Sequence, residues 1–155
     1  MTTVVDLYLD LMKKVLTDTV AGDEPDIDDP RFLRQGFLDH YIRGRAYTMV
    51  PLARLDNVQR CMVDVLARGV PGDVIETGIW RGGTTIFMRA VLAAHGVTDR
   101  CVWVADSFQG LPEPDGERFP VEARAHASKT VTSDYKHFAV SRQDVEANFT
   151  AFGLL

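Results

Sequence analysis

Asp73-Val74-Ile75-Glu76-Thr77-Gly78-Ile79-Trp80-Arg81-Gly82-Gly83-Thr84-Thr85 decides the fold. Val74-Ile75 is a short apolar run that reads as a buried parallel strand ending at Glu76. Gly78 and then Gly82-Gly83 make a glycine turn. From Thr84 to Ala94 the composition and apolar spacing are helical. Strand, glycine turn and helix form the opening unit of a nucleotide-type α/β domain. Glycine lets the backbone turn tightly and lets a ligand approach it, and a helix N-terminus offers free N–H groups.

The spacing narrows the ligand. The dinucleotide fingerprint is G-x-G-x-x-G, whereas the glycines here run G-x-x-x-G-G. The Lys-Ser/Thr pair of a phosphate-binding P-loop is absent from the turn. Glu76 sits at the strand tip instead, where its charge repels a pyrophosphate and suits a cation. A plain βα turn with a capping acid fits the same residues. The next apolar run, Arg100 to Asp106, ends on an acid. In open parallel sheets ligands lie at the carboxyl ends of the strands, and an acid about 20 residues or more past the glycine turn accepts from ribose hydroxyls.

E-x-G-x-x-x-G resembles motif I of class I S-adenosylmethionine methyltransferases, particularly the metal-dependent O-methyltransferases. The segment ETGIWRGGTT followed by VWVADSFQGLP resembles the macrocin O-methyltransferase (TylF-like) family, which methylates sugar hydroxyls on macrolide and related antibiotics. The likeness extends upstream through Tyr47-Thr48-Met49, Arg54-Leu55 and Gly69 to Asp73, and downstream to Asn148-Phe149. It thins out over Gly22 to Gly44 and over Glu113 to Tyr135. It implies a partial class I (Rossmann-like) parallel sheet preceded by N-terminal helices. Residues 1–68 are then an N-terminal helical or lid region, and 69–155 the first part of an S-adenosylmethionine-binding α/β domain.

The resemblance also implies site residues. Glu76, Gly78, Gly82 and Gly83 fall at the methionine end of the cofactor, and Thr77 and Thr84 are also among its binding residues. Asp106 falls at the ribose, with Ser107 and Phe108 beside it. Thr48 and Met49 match a segment lying against cofactor and substrate, and Met49 reads equally well as a staple into the following helix. A sulfonium and an α-ammonium next to Glu76 make electrostatic sense. Methyl transfer to an alcohol is an in-line displacement in which positioning supplies much of the barrier reduction. In this family a magnesium ion also lowers the hydroxyl's pKa. The segments that carry its ligands and the general base have no match here, so the chain is expected to be the N-terminal part of such an enzyme and inactive alone. A homo-oligomer or a complementing chain would complete it.

The chain has 155 residues, enough for one core, with 46% hydrophobic and 25% charged residues. A net charge of −5 without a basic run argues against nucleic acid. The lack of a signal peptide or membrane-length apolar run points to the cytoplasm. Cys61 and Cys101 read as reduced core residues. Val4 to Val20 is an amphipathic helix with Val4, Leu7, Leu11 and Val15 as one apolar row and Tyr8, Met12 and Leu16 beside it, docked on its own domain, on a second copy or over the site. Ala21 to Pro30 is an acidic linker, and Arg31 to Arg45 a short helix with His40 on its polar side. Leu52 to Arg68 is a helix closed by Gly69, with Asn57 at the surface. Pro112 to Tyr135 lacks a clean period and reads as a lid or substrate loop, and His126 and His137 stand at no metal spacing. Ser141 caps a last helix with apolar face Val145, Phe149 and Phe152.

Other readings from different classes stand beside the enzyme. The glycine spacing and Glu76 disfavour a nicotinamide-dependent oxidoreductase. A non-catalytic interaction module fits the apolar first helix and the short sheet.

Overall fold

The structure, a computed structural model, describes residues 1–22, 24–26, 29, 36–127 and 135–155. The elements run α1 (Val4–Leu16), a π-helical turn (Leu38–Ile42), α2 (Leu52–Ala67), β1 (Val74–Thr77), α3 (Gly83–Ala94), β2 (Val102–Ala105), α4 (Pro120–Ala127), a 3-10 turn (Tyr135–Phe138) and α5 (Arg142–Ala151). The expected helix from Arg31 begins outside the described residues.

β1 and β2 pair in parallel, Val74 opposite Val102 and Thr77 opposite Ala105. The Asp73 carboxylate fixes where pairing starts: it accepts from the Cys101 amide at 2.9 Å and from the Trp103 indole at 2.8 Å. Helix α3 covers one face of this sheet and is itself covered by α1 and α2. It is therefore buried nearly all round, with Thr85, Ile86, Phe87, Ala90 and Val91 at 0% exposure. Leu9, Leu16, Leu55, Val145 and Phe149 complete the same core. The other sheet face is open. Its paired residues Ile75 and Trp103 are 61% and 57% exposed.

Local chemistry explains the helix ends. Thr3 and Asp6 form a reciprocal capping box at α1. Helix α1 stops at Leu16, short of the expected Val20, because Asp18 turns left-handed at φ 57° and the Thr19 amide bonds back to the Lys14 carbonyl. The expected apolar row is also corrected. Met12 and Leu16, beside that row, are buried together with Leu9, while Val4, Leu7 and Leu11 within it are exposed. Both sides of this helix are apolar, and the side that meets α3 is fixed by tertiary contact. Lys13 is buried with it, its ammonium held by Asp56 at 2.6 Å and Asp10 at 2.9 Å.

Helix α2 buries Leu55 and Met62, with Asn57 exposed as expected. Ser141 caps α5 through the Asp144 amide, and Val145 and Phe149 are buried. His40 is half-buried, its Nε2 2.9 Å from the Thr17 carbonyl. Two further expectations fail. Cys61 and Cys101 are free and lie exposed, not in the core. Within Pro112 to Tyr135, Pro120–Ala127 is helical. Its alanines favour a helix, but no residue on it is buried, so it leaves no amphipathic period. No described helix is long and apolar enough to cross a membrane.

Segment 47–48 lies close against Gly83. A Cβ there would stand 2.6 Å from the Tyr47 backbone and 2.8 Å from the Thr48 side chain. Gly83→Ala is expected to cost about 3 kcal/mol by urea unfolding, since the colliding group is backbone. Gly96→Ala, with φ +68° but nothing within 4 Å, should cost only about 1 kcal/mol.

Candidate ligand site at the strand ends

The site grows out of the sheet register. β1 leaves through Gly78, whose amide donates to the Ala105 carbonyl at 2.9 Å. A cleft of about 450 Å³ opens there, at the carboxyl ends of both strands. Gly78, Asp106 and Ser107 line it, as do Trp80, Leu111 and Phe138. Gly78 has φ +77° and nothing within 4 Å of where a Cβ would stand, so a ligand can meet bare backbone.

Asp106 braces this cleft. One carboxylate oxygen accepts from the Ile79 amide and the other from the Phe108 amide, both at 2.8 Å. The side chain thus ties the glycine turn to the turn that follows β2. Each oxygen keeps a second lone pair for a ligand.

Glu76 stands behind the turn, outside the cleft lining. Its carboxylate accepts from the Thr85 hydroxyl at the start of α3. An acid at a helix N-terminus satisfies otherwise unpaired amides and meets the positive end of the helix dipole. Burial nevertheless raises the Glu76 carboxyl above its ordinary value. The Asp106 charge adds to the rise, and hydrogen bonds from Thr85 and Thr84 oppose it.

The remaining expected residues are placed differently. Gly82, at φ +85°, faces Val145 and Phe149 of α5, and Gly83 faces Tyr47 and Thr48. The Gly83 amide donates to the Tyr47 carbonyl at 3.0 Å. Thr48 and Thr84 are buried with their hydroxyls 3.1 Å apart. Met49 is half-buried and Thr77 exposed. Phe108, at φ 57°, lines a separate groove beside β2 with Phe149 and Leu154. Gly78, Asp106 and Ser107 are brought together at the cleft, and the others stand around its supports.

Sequence reading missed Trp80, Arg81 and Phe138. The Arg81 guanidinium donates to the carbonyls of Ala46 at 2.8 Å, Ile42 at 3.1 Å and Gly44 at 3.4 Å. Its own carbonyl accepts from the Asn148 amide at 3.0 Å. Burial pulls Arg81 below the usual arginine value. The three carbonyls lie 35 to 39 residues upstream and Asn148 lies 67 downstream, so no local pattern announces them. Among the described residues no three His, Cys, Asp or Glu side chains converge to hold a metal ion.

The raised Glu76 carboxyl has a sign that can be measured. The folded chain holds this proton more tightly than the unfolded chain does. The stability it contributes is complete below the unfolded value and is lost as pH rises through the folded one. Wild type is expected to lose stability relative to Glu76→Gln as pH rises from about 4.5. Parallel stability–pH curves in urea would contradict it.

Comparison with known proteins meets this geometry. The family model for macrocin-O-methyltransferase (TylF) matches residues 39–155. The chain is 51% identical to the 8-demethyl-8-(2,3-dimethoxy-alpha-L-rhamnosyl)-tetracenomycin-C 4'-O-methyltransferase of Streptomyces olivaceus, over 97% of this chain and 58% of that one. It is 43% identical to the demethyldecarbamoylnovobiocin O-methyltransferase of Streptomyces niveus, over 96% and 58%. It is 39% identical to the mycinamicin III 3''-O-methyltransferase of Micromonospora griseorubida, over 97% and 61%. A solved structure, that of the O-methyltransferase NovP, superimposes with a TM-score of 0.70 at 40% identity, over 97% of this chain and 60% of that one. The chain thus spans about three fifths of the length of these relatives. With the matched segment running from the π-helical turn through both strands to the last residue, the chain belongs to the macrocin-O-methyltransferase (TylF) family.

Proposed function

We propose that this chain supplies the cofactor-binding part of an S-adenosylmethionine-dependent O-methyltransferase acting on a sugar hydroxyl of a glycosylated natural product. The observation that carries the reading is the cleft at the two strand ends, where Gly78 offers bare backbone beside the braced Asp106. The names of the relatives support the substrate class, since the first specifies a rhamnosyl-bearing tetracenomycin and its 4'-oxygen.

S-adenosylmethionine supplies an activated methyl group for in-line displacement by the sugar oxygen. The chain's residues bind and orient. Asp106 accepts from the ribose diol with its remaining lone pairs, while its amide bonds keep the carboxylate from turning away. Glu76, behind the turn, lends negative charge to the methionine end, where the ligand carries its cations. Gly83, Thr48 and Thr84 hold the amino end of α3 against segment 47–48 while Gly82 lets α5 approach, and together they fix the turn that the ligand meets.

Magnesium fits no group of described residues, and no step is assigned to it. The open sheet face at Ile75 and Trp103 calls for a cover of further polypeptide in the working enzyme. Exposed free Cys61 and Cys101 suit a reducing cytoplasm.

The test is transfer of a labelled methyl group from S-adenosylmethionine to a deoxysugar-bearing macrolide, with magnesium present. A chimaera that continues residues 1–155 with the remainder of the Streptomyces olivaceus relative is expected to label the sugar oxygen. Residues 1–155 by themselves are expected to retain weak cofactor binding without transfer. Metal-dependent transfer by residues 1–155 alone would contradict this division of labour.

A further inference from the structure

Trp80 stands inside the glycine turn at φ +52°. A bulky L-residue rarely adopts this left-handed conformation, and such backbone strain collects at functional sites. Glycine would take the same turn without strain, so the indole itself has a use at this position. Three contacts describe it. The ring lines the cleft. Its N–H donates to the His137 carbonyl at 3.0 Å. The Arg81 guanidinium lies 4.3 Å from its centroid, where a cation is attracted to the ring face.

The segment that the indole holds carries Phe138, which lines the same cleft. A second contact fixes that segment independently. Gly110, at φ +76°, lies so close to it that a Cβ there would stand 2.9 Å from the Ala139 amide nitrogen. Residues 137–139 are therefore held by Trp80 and by the Gly110 turn, and Phe138 stands between those two anchors.

We propose that Trp80 is a positioning residue whose indole N–H, through the His137 carbonyl, sets Phe138 as the apolar wall against which the adenosine part of the ligand packs. This rests on the adenosyl ligand of the proposed function. It adds that recognition at the ribose end depends on a residue of the glycine turn acting across the cleft. Arg81, clamped to the carbonyls of 42–46, backs the indole and keeps it in place.

The test is calorimetric titration of the 155-residue chain with S-adenosylhomocysteine and, separately, with adenosine. Trp80→Phe keeps an aromatic ring beside Arg81 and the same backbone burden, but releases the His137 carbonyl. It is expected to weaken both ligands about fivefold, the worth of one ordinary hydrogen bond. Phe138→Leu should weaken both as well. Because the two residues act through one contact, the double variant should bind no more weakly than the weaker single variant. Unliganded melting of each variant separates positioning from folding: a lower melting temperature with unchanged affinity means a merely structural role and overturns the inference. Fully additive losses in the double variant also overturn it. Wild-type binding with an unaffected Trp80→Phe defeats the inference and leaves the function reading intact, whereas failure of the wild type to bind either ligand defeats both.

Discussion

The amino end of α3 has no room for a side chain. At Gly83 the Tyr47 backbone comes so near that any Cβ would sit inside it, and the Gly83 amide uses that proximity to bond the Tyr47 carbonyl. Gly82 allows α5 to approach from another side through Val145 and Phe149. Segment 47–48, α3 and α5 thereby meet at two adjacent glycines. Arg81 extends the same junction by gathering the carbonyls of Ile42, Gly44 and Ala46, backbone groups that would otherwise need water. The turn is stiff because packing and hydrogen bonds determine it from several directions.

That stiffness shapes the electrostatics of the site. Two carboxylates lie at neighbouring strand ends, and each is tied to the start of an adjoining segment: Glu76 to Thr85 of α3, Asp106 to the amides of Ile79 and Phe108. Held in place, they cannot move apart to relieve their repulsion; burial is the main cause of the rise in the Glu76 carboxyl, and the Asp106 charge adds a lesser electrostatic cost. A cationic ligand relieves that cost. A pyrophosphate would increase it, which is the physical reason that the pair disfavours a dinucleotide.

Much of this was legible in the sequence where the signals are local. The Val74-Ile75 and Arg100 to Asp106 runs, the glycine turn, the Ser141 cap and the spacing of Leu55 and Met62 each announce themselves within a few residues, although Ile75 is exposed on the open sheet face and not buried as expected. Gly78, Asp106 and Ser107 line one cleft, because strand ends in a parallel sheet converge. What stayed hidden depends on distant contact. The sequence of α1 is apolar on both sides, so only α3 decides that Leu9 and Leu16 go inward and Leu7 stays out. The partners of Arg81 lie dozens of residues away, and α4, with nothing buried, carries no period to read. The motif glycines also look alike in sequence, yet Gly78 faces open space while Gly82 and Gly83 face protein.

The central claim is a location: an adenosyl ligand lies in the cleft between Gly78 and Asp106. A crystal structure of the 155-residue chain grown with S-adenosylhomocysteine tests it most directly. The account predicts ligand density at the strand ends, with the ribose hydroxyls within hydrogen-bond distance of the Asp106 carboxylate and the thioether chain over Gly78. Density in the groove beside β2 near Phe108 and Leu154, or in the cleft by Arg45 and Asp144, would contradict it.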